Sequence, residues 1–429
     1  MVLMLRRFCL YGFLKNQQYF EPYLVLYFLQ RGLSFFQIGL LVACREVTVN
    51  LFEVLSGAVA DVWGRRRSMM LSFCAYLASF VLFALAGSLG LLFAAMVLFG
   101  IGEAFRTGTH KAMIFSWLRR QGRLDERTRV YGLTRSWSKL GSALAVVIGT
   151  IFVLAGDDYV WLFWLSALPY VLGLVNFVSY PRWLDRPGAA RESGGVWNHL
   201  LASFRQAFGN RRTRRLLFES MGFEGVFRAS KDYLQPVLKA AALSLVVLWP
   251  QLEDLGQRQR AALLVGPVYL LLFLLSAFAS RRAHHLVERL GGEDRAARGV
   301  WAVTAGSYAA LTAALALVWM PLAIAAFVLL YLLQNLWRPL LISRVYAGCP
   351  EALGATVLSI ENQGKTVATM VLAPLLGAAV DWARGVSRAS GLWPVGMAGM
   401  LVAGWFLLHR GRTAGGGGIA QGSTETGSL

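Results

Sequence analysis

Charge is scarce in this sequence. Only 15% of its 429 residues are Asp, Glu, Lys or Arg, where a soluble domain carries about 25%. Polar linkers between domains are also scarce, although a soluble chain of this length needs several domains. A soluble multidomain enzyme is therefore excluded. So is a disordered chain, because 56% of the residues are hydrophobic. Cysteine is rare as well. Cys9, Cys44, Cys74 and Cys349 show neither disulfide nor metal-ligand spacing, and the first three read as small packing residues in apolar runs. No small-residue cleavage site follows the apolar stretch after Arg6 and Arg7, so that stretch is expected to be a retained first span.

What fills the chain instead is a series of apolar runs. Twelve are read by hydropathy, at about 8–30, 36–60, 68–88, 90–118, 129–155, 159–180, 214–240, 261–281, 299–319, 321–343, 353–380 and 392–409. Each suits a hydrocarbon core about 30 Å thick. The expected fold is an all-α integral membrane protein of twelve transmembrane helices in two six-helix bundles.

The net charge of +19 would suggest nucleic acid on a soluble protein. Here it sorts to one side of the bilayer. Arg6, Arg7, Arg65, Arg66, Arg67, Arg119, Arg120, Arg123, Arg127, Arg129, Arg289, Arg295, Arg298, Arg344 and the linker arginines share that side. The positive-inside rule then places both termini in the cytoplasm of a multi-pass cell-membrane protein, and no nucleic-acid partner is expected.

The stretch 181–213 divides the spans into bundles at 1–180 and 214–410. Within it, Trp197, Leu200, Leu201, Phe204 and Phe208 recur at helical spacing. That pattern fits either a helix lying on the cytoplasmic leaflet or a linker helix packed under the bundle. The tail 411–429, with glycines at 415–418, is expected to be disordered. The halves also echo each other. Tyr19, Pro22 and Leu24 of span one match Tyr233, Pro236 and Leu238 of span seven at one constant offset, which points to an internal repeat.

Charges at membrane depth are costly and normally face a bundle interior or a wet cavity. The basic ones are Lys15, Arg45, Arg106, Lys111, Arg135, Lys139, Arg228, Lys231, Arg338 and Lys365. The acidic ones are Glu21, Glu46, Glu53, Glu103, Glu224, Asp232 and Glu361. Spans three, six, nine and twelve have none in their interiors, so every third helix can face lipid; span eight has none either. Several charges share a helix face at spacings of three or four, such as Glu224/Arg228 and Glu361/Lys365. Ion pairing between helices accounts for part of the belt. Pairing leaves cations over, and a cationic surplus around a cavity suggests an anionic solute. The carboxylates are pairing partners or proton carriers. Arg106, Arg135, Lys139, Arg228, Lys231, Arg338 and Lys365 are expected along the pathway, with Tyr19, Tyr233, Gln334 and Asn335 completing it.

The turn after span two reads Gly57-Ala58-Val59-Ala60-Asp61-Val62-Trp63-Gly64-Arg65-Arg66. This resembles in full the G-x-x-x-D-x-x-G-R-R/K signature of the major facilitator superfamily. The resemblance implies two bundles around a central cavity and alternating access by rocking of the halves. It makes Asp61, Arg65 and Arg66 cytoplasmic gate residues, with Gly57 and Gly64 permitting close packing and a tight turn. Arg106 sits where drug/proton antiporters of the family carry an arginine, but Lys139-Leu140-Gly141-Ser142 lacks the proline of their helix-five motif.

Other signals carry little. Gly364-Lys365-Thr366 lacks the first glycine of a phosphate loop, Ser359 standing in its place. His284 and His285 are adjacent and point to different helix faces, without a ligand set. No nucleophile elbow or zinc-protease motif occurs, so neither enzymatic activity nor a metal or cofactor is expected. The expected function is secondary transport of a small organic solute carrying an anionic group, coupled to protons, by a monomer in the bilayer. The alternatives are proton-coupled multidrug efflux and a non-transporting membrane sensor.

Overall fold

A computed structural model describes residues 2–156, 158–185, 209–247, 249–348, 351–386 and 391–409. The amphipathic pattern at 197–208 and the tail beyond His409 lie outside them.

Among the described residues, fifteen α-helices build twelve crossings. In the first half they are α1 (Val2–Leu14), α2 (Leu24–Gln30), α3 (Phe35–Val62), α4 (Arg65–Leu85), α5 (Leu89–Arg106), α6 (Thr109–Arg120), α7 (Arg127–Ala155) and α8 (Val160–Val178). The second half has α9 (Arg211–Ser230), α10 (Leu234–Ser244), α11 (Gln257–Arg289), α12 (Glu293–Ala316), α13 (Met320–Gly348), α14 (Glu351–Val386) and α15 (Trp393–His409). Spans one, four and seven are each broken into two helices. Span eight runs on to Arg289, eight residues past its expected end at 281; hydropathy stops at the first arginines, whereas the backbone ladder continues into the polar region.

The breaks have local causes. Proline removes an N–H and clashes with the carbonyl four residues back. Pro22 therefore interrupts span one after the polar run Lys15 to Gln18, and a 3₁₀ turn at Glu21–Tyr23 bridges to α2. Pro236 acts the same way in span seven, where the 3₁₀ turn is Lys231–Tyr233. The repeat found in the sequence thus marks the same discontinuity in both halves. Span four breaks at Gly108, whose φ of 80° is a left-handed value that glycine tolerates.

The helices of spans three, six, nine and twelve make their main contacts within their own half. On α8, Trp161, Leu168, Val175 and Val178 are exposed, as suits a face in contact with lipid. The opposite faces carry aromatic cores. In the first half, the Tyr170 ring lies 5.0 Å from Phe73 and 5.2 Å from Tyr76. In the second, Trp301 of α12 stacks on Phe406 of α15 at 4.9 Å. Cys9 is buried as expected, but Cys74 is exposed, so it does not serve as packing.

The two halves meet along α3 against α14 and along α7 against α11. Small residues permit the close approach. A Cβ on Gly39 would lie 2.4 Å from the Ala373 carbonyl oxygen, and one on Gly377 2.2 Å from that of Phe35. These contacts sit at the end away from Arg65, Arg66 and Arg67, hereafter the far end. The arginine-rich end is the basic end.

Candidate functional site

Two polar cavities lie side by side, with Asn16, Lys139 and Ser142 in the wall of both. The central one, of about 320 Å³, lies between the halves. Glu21, Glu224 and Asp232 line it with Lys139, Arg228 and Lys231. Asn16, Gln18, Gln334 and Asn335 add amides, and span eight contributes Tyr269. Its charges balance. Lys231 donates to Asp232 at 2.7 Å, and the Glu224 carboxylate accepts from Gln334 at 3.4 Å. Glu21 is exposed to the cavity.

The second cavity, of about 410 Å³, is built from spans one, four and five. Lys15, Arg106, Lys111, Arg135 and Lys139 line it, with His110, and no carboxylate does. Of the five cations only Arg106 forms an ion pair among the described residues, with Glu103 at 3.8 Å. Aromatic faces lie against three of the others. Lys111 lies 5.6 Å from the Tyr131 ring centre and Arg135 6.0 Å from it. Lys15 lies over Tyr11 at 5.7 Å. Such faces attract a cation without neutralising it. The hydroxyls of Thr134, Ser138 and Ser142 all donate to backbone carbonyls of their own helix. The cavity therefore presents bare positive charge and few free neutral donors.

The remaining belt residues pair elsewhere. Glu361 accepts from Arg338 at 2.8 Å and from Ser220 at 2.6 Å, and lies 3.6 Å from Lys365. Arg338 and Lys365 line neither of these cavities. Glu46 contacts Arg45 at 2.6 Å and reaches across the halves to Arg228 at 3.6 Å. Glu53 accepts from Asn362 at 3.3 Å, also across the halves. The spacing four apart pairs Glu361 with Lys365 as expected. It does not pair Glu224 with Arg228, because Arg228 is long enough to reach the facing bundle.

At the basic end, Arg65 donates to Ser116 at 2.5 Å and so ties the turn to span four. Arg66 donates to the Tyr180 carbonyl at 2.9 Å and lies 3.0 Å from Asp185. Gly64 has φ 100°, and a Cβ there would sit 2.5 Å from the Asp185 carbonyl oxygen. The tight turn expected of Gly64 is present. Among the described residues no atom lies within 4 Å of a Cβ position on Gly57. The Asp61 side chain lies outside the described features.

The far end is sealed. Asp381 of α14 accepts from the backbone N–H of Phe35 at 3.0 Å and of Phe36 at 2.7 Å, which caps α3 from the other half. Gln235 accepts from Val25 N–H at 2.8 Å and donates to the Glu21 carbonyl at 3.1 Å. Gln259 donates to the Leu154 carbonyl at 2.8 Å.

Two half-bundles packed on each other, with a polar cavity between them, form the architecture that the signature after span two implied. The sequence profile of the Major Facilitator Superfamily matches residues 8–372. The chain belongs to this superfamily. It has the multi-pass, twelve-helix fold of that superfamily. Among relatives in Bacillus subtilis (strain 168), it is 29% identical over 101 residues to "Uncharacterized MFS-type transporter YxaM", covering 24% of each chain. It is 24% identical over 163 residues to "Probable metabolite transport protein CsbC", covering 37% of this chain and 34% of that one. These matches span only a quarter to a third of the relatives' lengths. A crystal structure of the nucleoside transporter NupG (D323A mutant) shares the fold, with a TM-score of 0.73 at 14% identity over 95% of this chain and 97% of that one.

Sequence reasoning placed Lys139, Arg228, Lys231, Gln334, Asn335, Glu21, Glu224 and Asp232 where they line the central cavity, and Arg106 and Arg135 where they line the second. It did not select Lys15, His110 or Lys111 as site residues. The signal for them was Gly108, a flexible residue inside an otherwise helical span.

Proposed function

We propose that this transporter carries small organic anions, with the basic end facing the cytoplasm and both termini on that side. Residues 1–180 and 214–410 are the two rocking units, and 181–213 links them. The observation that supports the anion is the cavity between spans one, four and five, lined by five cations with one ion pair among them. Uncompensated charge at membrane depth is costly, and an anionic solute relieves it. The same surplus counts against lipophilic cations as cargo. Arg106, Arg135 and Lys139 bind the anion. Arg228, Lys231, Gln334 and Asn335 contact the rest of the solute, and the Arg338–Glu361–Lys365 group serves to hold α13 and α14 together.

Glu21, exposed in the central cavity and without an ion pair among the described residues, is the carboxylate that carries the coupling proton. Asp61, Arg65 and Arg66 form the cytoplasmic gate, with Gly57 packing in it when it closes. The working unit is a monomer in the bilayer. The test is flux into proteoliposomes for a panel of organic anions and lipophilic cations, with and without a pH gradient. Anions should move, a pH gradient should accelerate them, and Glu21→Gln should remove that acceleration while leaving anion exchange. Flux of lipophilic cations alone would overturn the reading.

A further inference from the structure

The cation-lined cavity allows a narrower statement about its ligand, which rests on the anion-transport reading above. We infer that it binds the dianionic phosphoryl end of a phosphomonoester, with the polar body of the molecule in the adjoining central cavity. The first reason is charge. Lys15, Arg106, Lys111, Arg135 and Lys139 line one space with Glu103 as the one carboxylate paired to any of them. A single carboxylate on the ligand would leave three of these charges unmatched, whereas a dianion matches more of the surplus.

The second reason is direction. The cations come from three sides, on spans one, four and five. Donors converging from several directions suit three oxygens on a tetrahedral phosphorus better than two oxygens in a plane. Arginine forks are well matched to phosphoryl oxygens.

The third reason is the break in span four. It ends α5 at Arg106 and starts the 12-residue α6 at Thr109, so a helix N-terminus is created at membrane depth beside the cavity. Thr107, Gly108, His110 and Lys111 around it all line that space. The first N–H groups of a helix have no partner within it, and such termini favour anions, phosphates among them. In this first turn His110 is buried, at 8% exposure, and its Nε2 has no hydrogen-bond partner. A buried polar atom without a partner among the described residues is uncommon, and this one belongs to a residue in the wall of the cation-lined space. The central cavity next to it is balanced in charge and rich in amides, which suits a hydroxyl-bearing body.

The test uses the full chain in lipid nanodiscs, by thermal shift and calorimetry at pH 8. The probes separate charge from shape: methyl phosphate is a tetrahedral dianion, dimethyl phosphate a tetrahedral monoanion and acetate a planar monoanion. Methyl phosphate should bind at least tenfold tighter than either of the others. Arg135→Gln and Lys139→Gln should each weaken methyl phosphate at least tenfold and acetate far less. Arg135→Lys retains the charge and serves if Arg135→Gln fails to fold. Exposed Arg289→Gln should change neither. If acetate or dimethyl phosphate binds as tightly as methyl phosphate, the phosphoryl assignment is wrong and anion transport stands. If none of the three binds, and flux assays show no anion movement, both readings fail.

Discussion

Closure of the far end depends on Asp381, and its removal should shift the conformational balance measurably. Asp381 accepts two backbone hydrogen bonds across the interface, at 3.0 and 2.7 Å. A hydrogen bond to a charged group contributes about 1.5–3 kcal/mol net. Phe36 is exposed, so solvent competes and the lower figure applies to each bond, less some screening. The loss on Asp381→Ala is then about 2 kcal/mol. It falls on the closed far end alone, because Ser34 and Gln37 form a capping box on α3 that does not involve the other half. At about 1.4 kcal/mol per tenfold, the population open at the far end should rise about 30-fold. Asp381→Asn, which keeps one acceptor without charge, should give a smaller rise. The assay is labelling of Ile38→Cys in a background lacking the native cysteines. Ile38 is 6% exposed beside this contact. A membrane-impermeant maleimide applied from the far side should label it faster in Asp381→Ala than in the parent. Unchanged labelling, with the protein folded, would refute the idea that this contact holds the far end shut.

Three further outcomes follow from the packing. Gly57→Leu should fold with a melting temperature near the parent's, since nothing among the described residues lies within 4 Å of its Cβ position, yet abolish transport by blocking closure of the basic end; wild-type flux would sink the gate assignment. Gly64→Ala must adopt φ 100° against the Asp185 carbonyl, so it should destabilise the protein by about 1–3 kcal/mol in thermal unfolding. Glu361→Ala leaves Lys365, 4% exposed, without its neutralising partner and should cost about 3–5 kcal/mol. Adding Lys365→Met should recover a large part of that loss, and failure to recover it would show that the pair is not coupled.

Much of this protein was legible in its residues. Apolar runs of bilayer length give twelve crossings, because a backbone in hydrocarbon must bond to itself and a helix does so within one segment. The absence of charge from spans three, six, nine and twelve lets them face lipid. Pro22 and Pro236 break equivalent helices for a covalent reason that needs no partner. The run from Gly57 to Arg66 identifies the family before any contact is known. Tertiary structure decided which charges meet. A spacing of four joins Glu361 to Lys365 but cannot say that Arg228 turns from Glu224 to Glu46 in the other half. It also decided which cations stay unpaired, since that depends on which faces of spans one, four and five converge. Lys15 and Lys111 look like other belt residues in the sequence. Only folding brings them around one cavity with Arg106, Arg135 and Lys139, where aromatic faces and the helix end after Gly108 surround them in place of carboxylates.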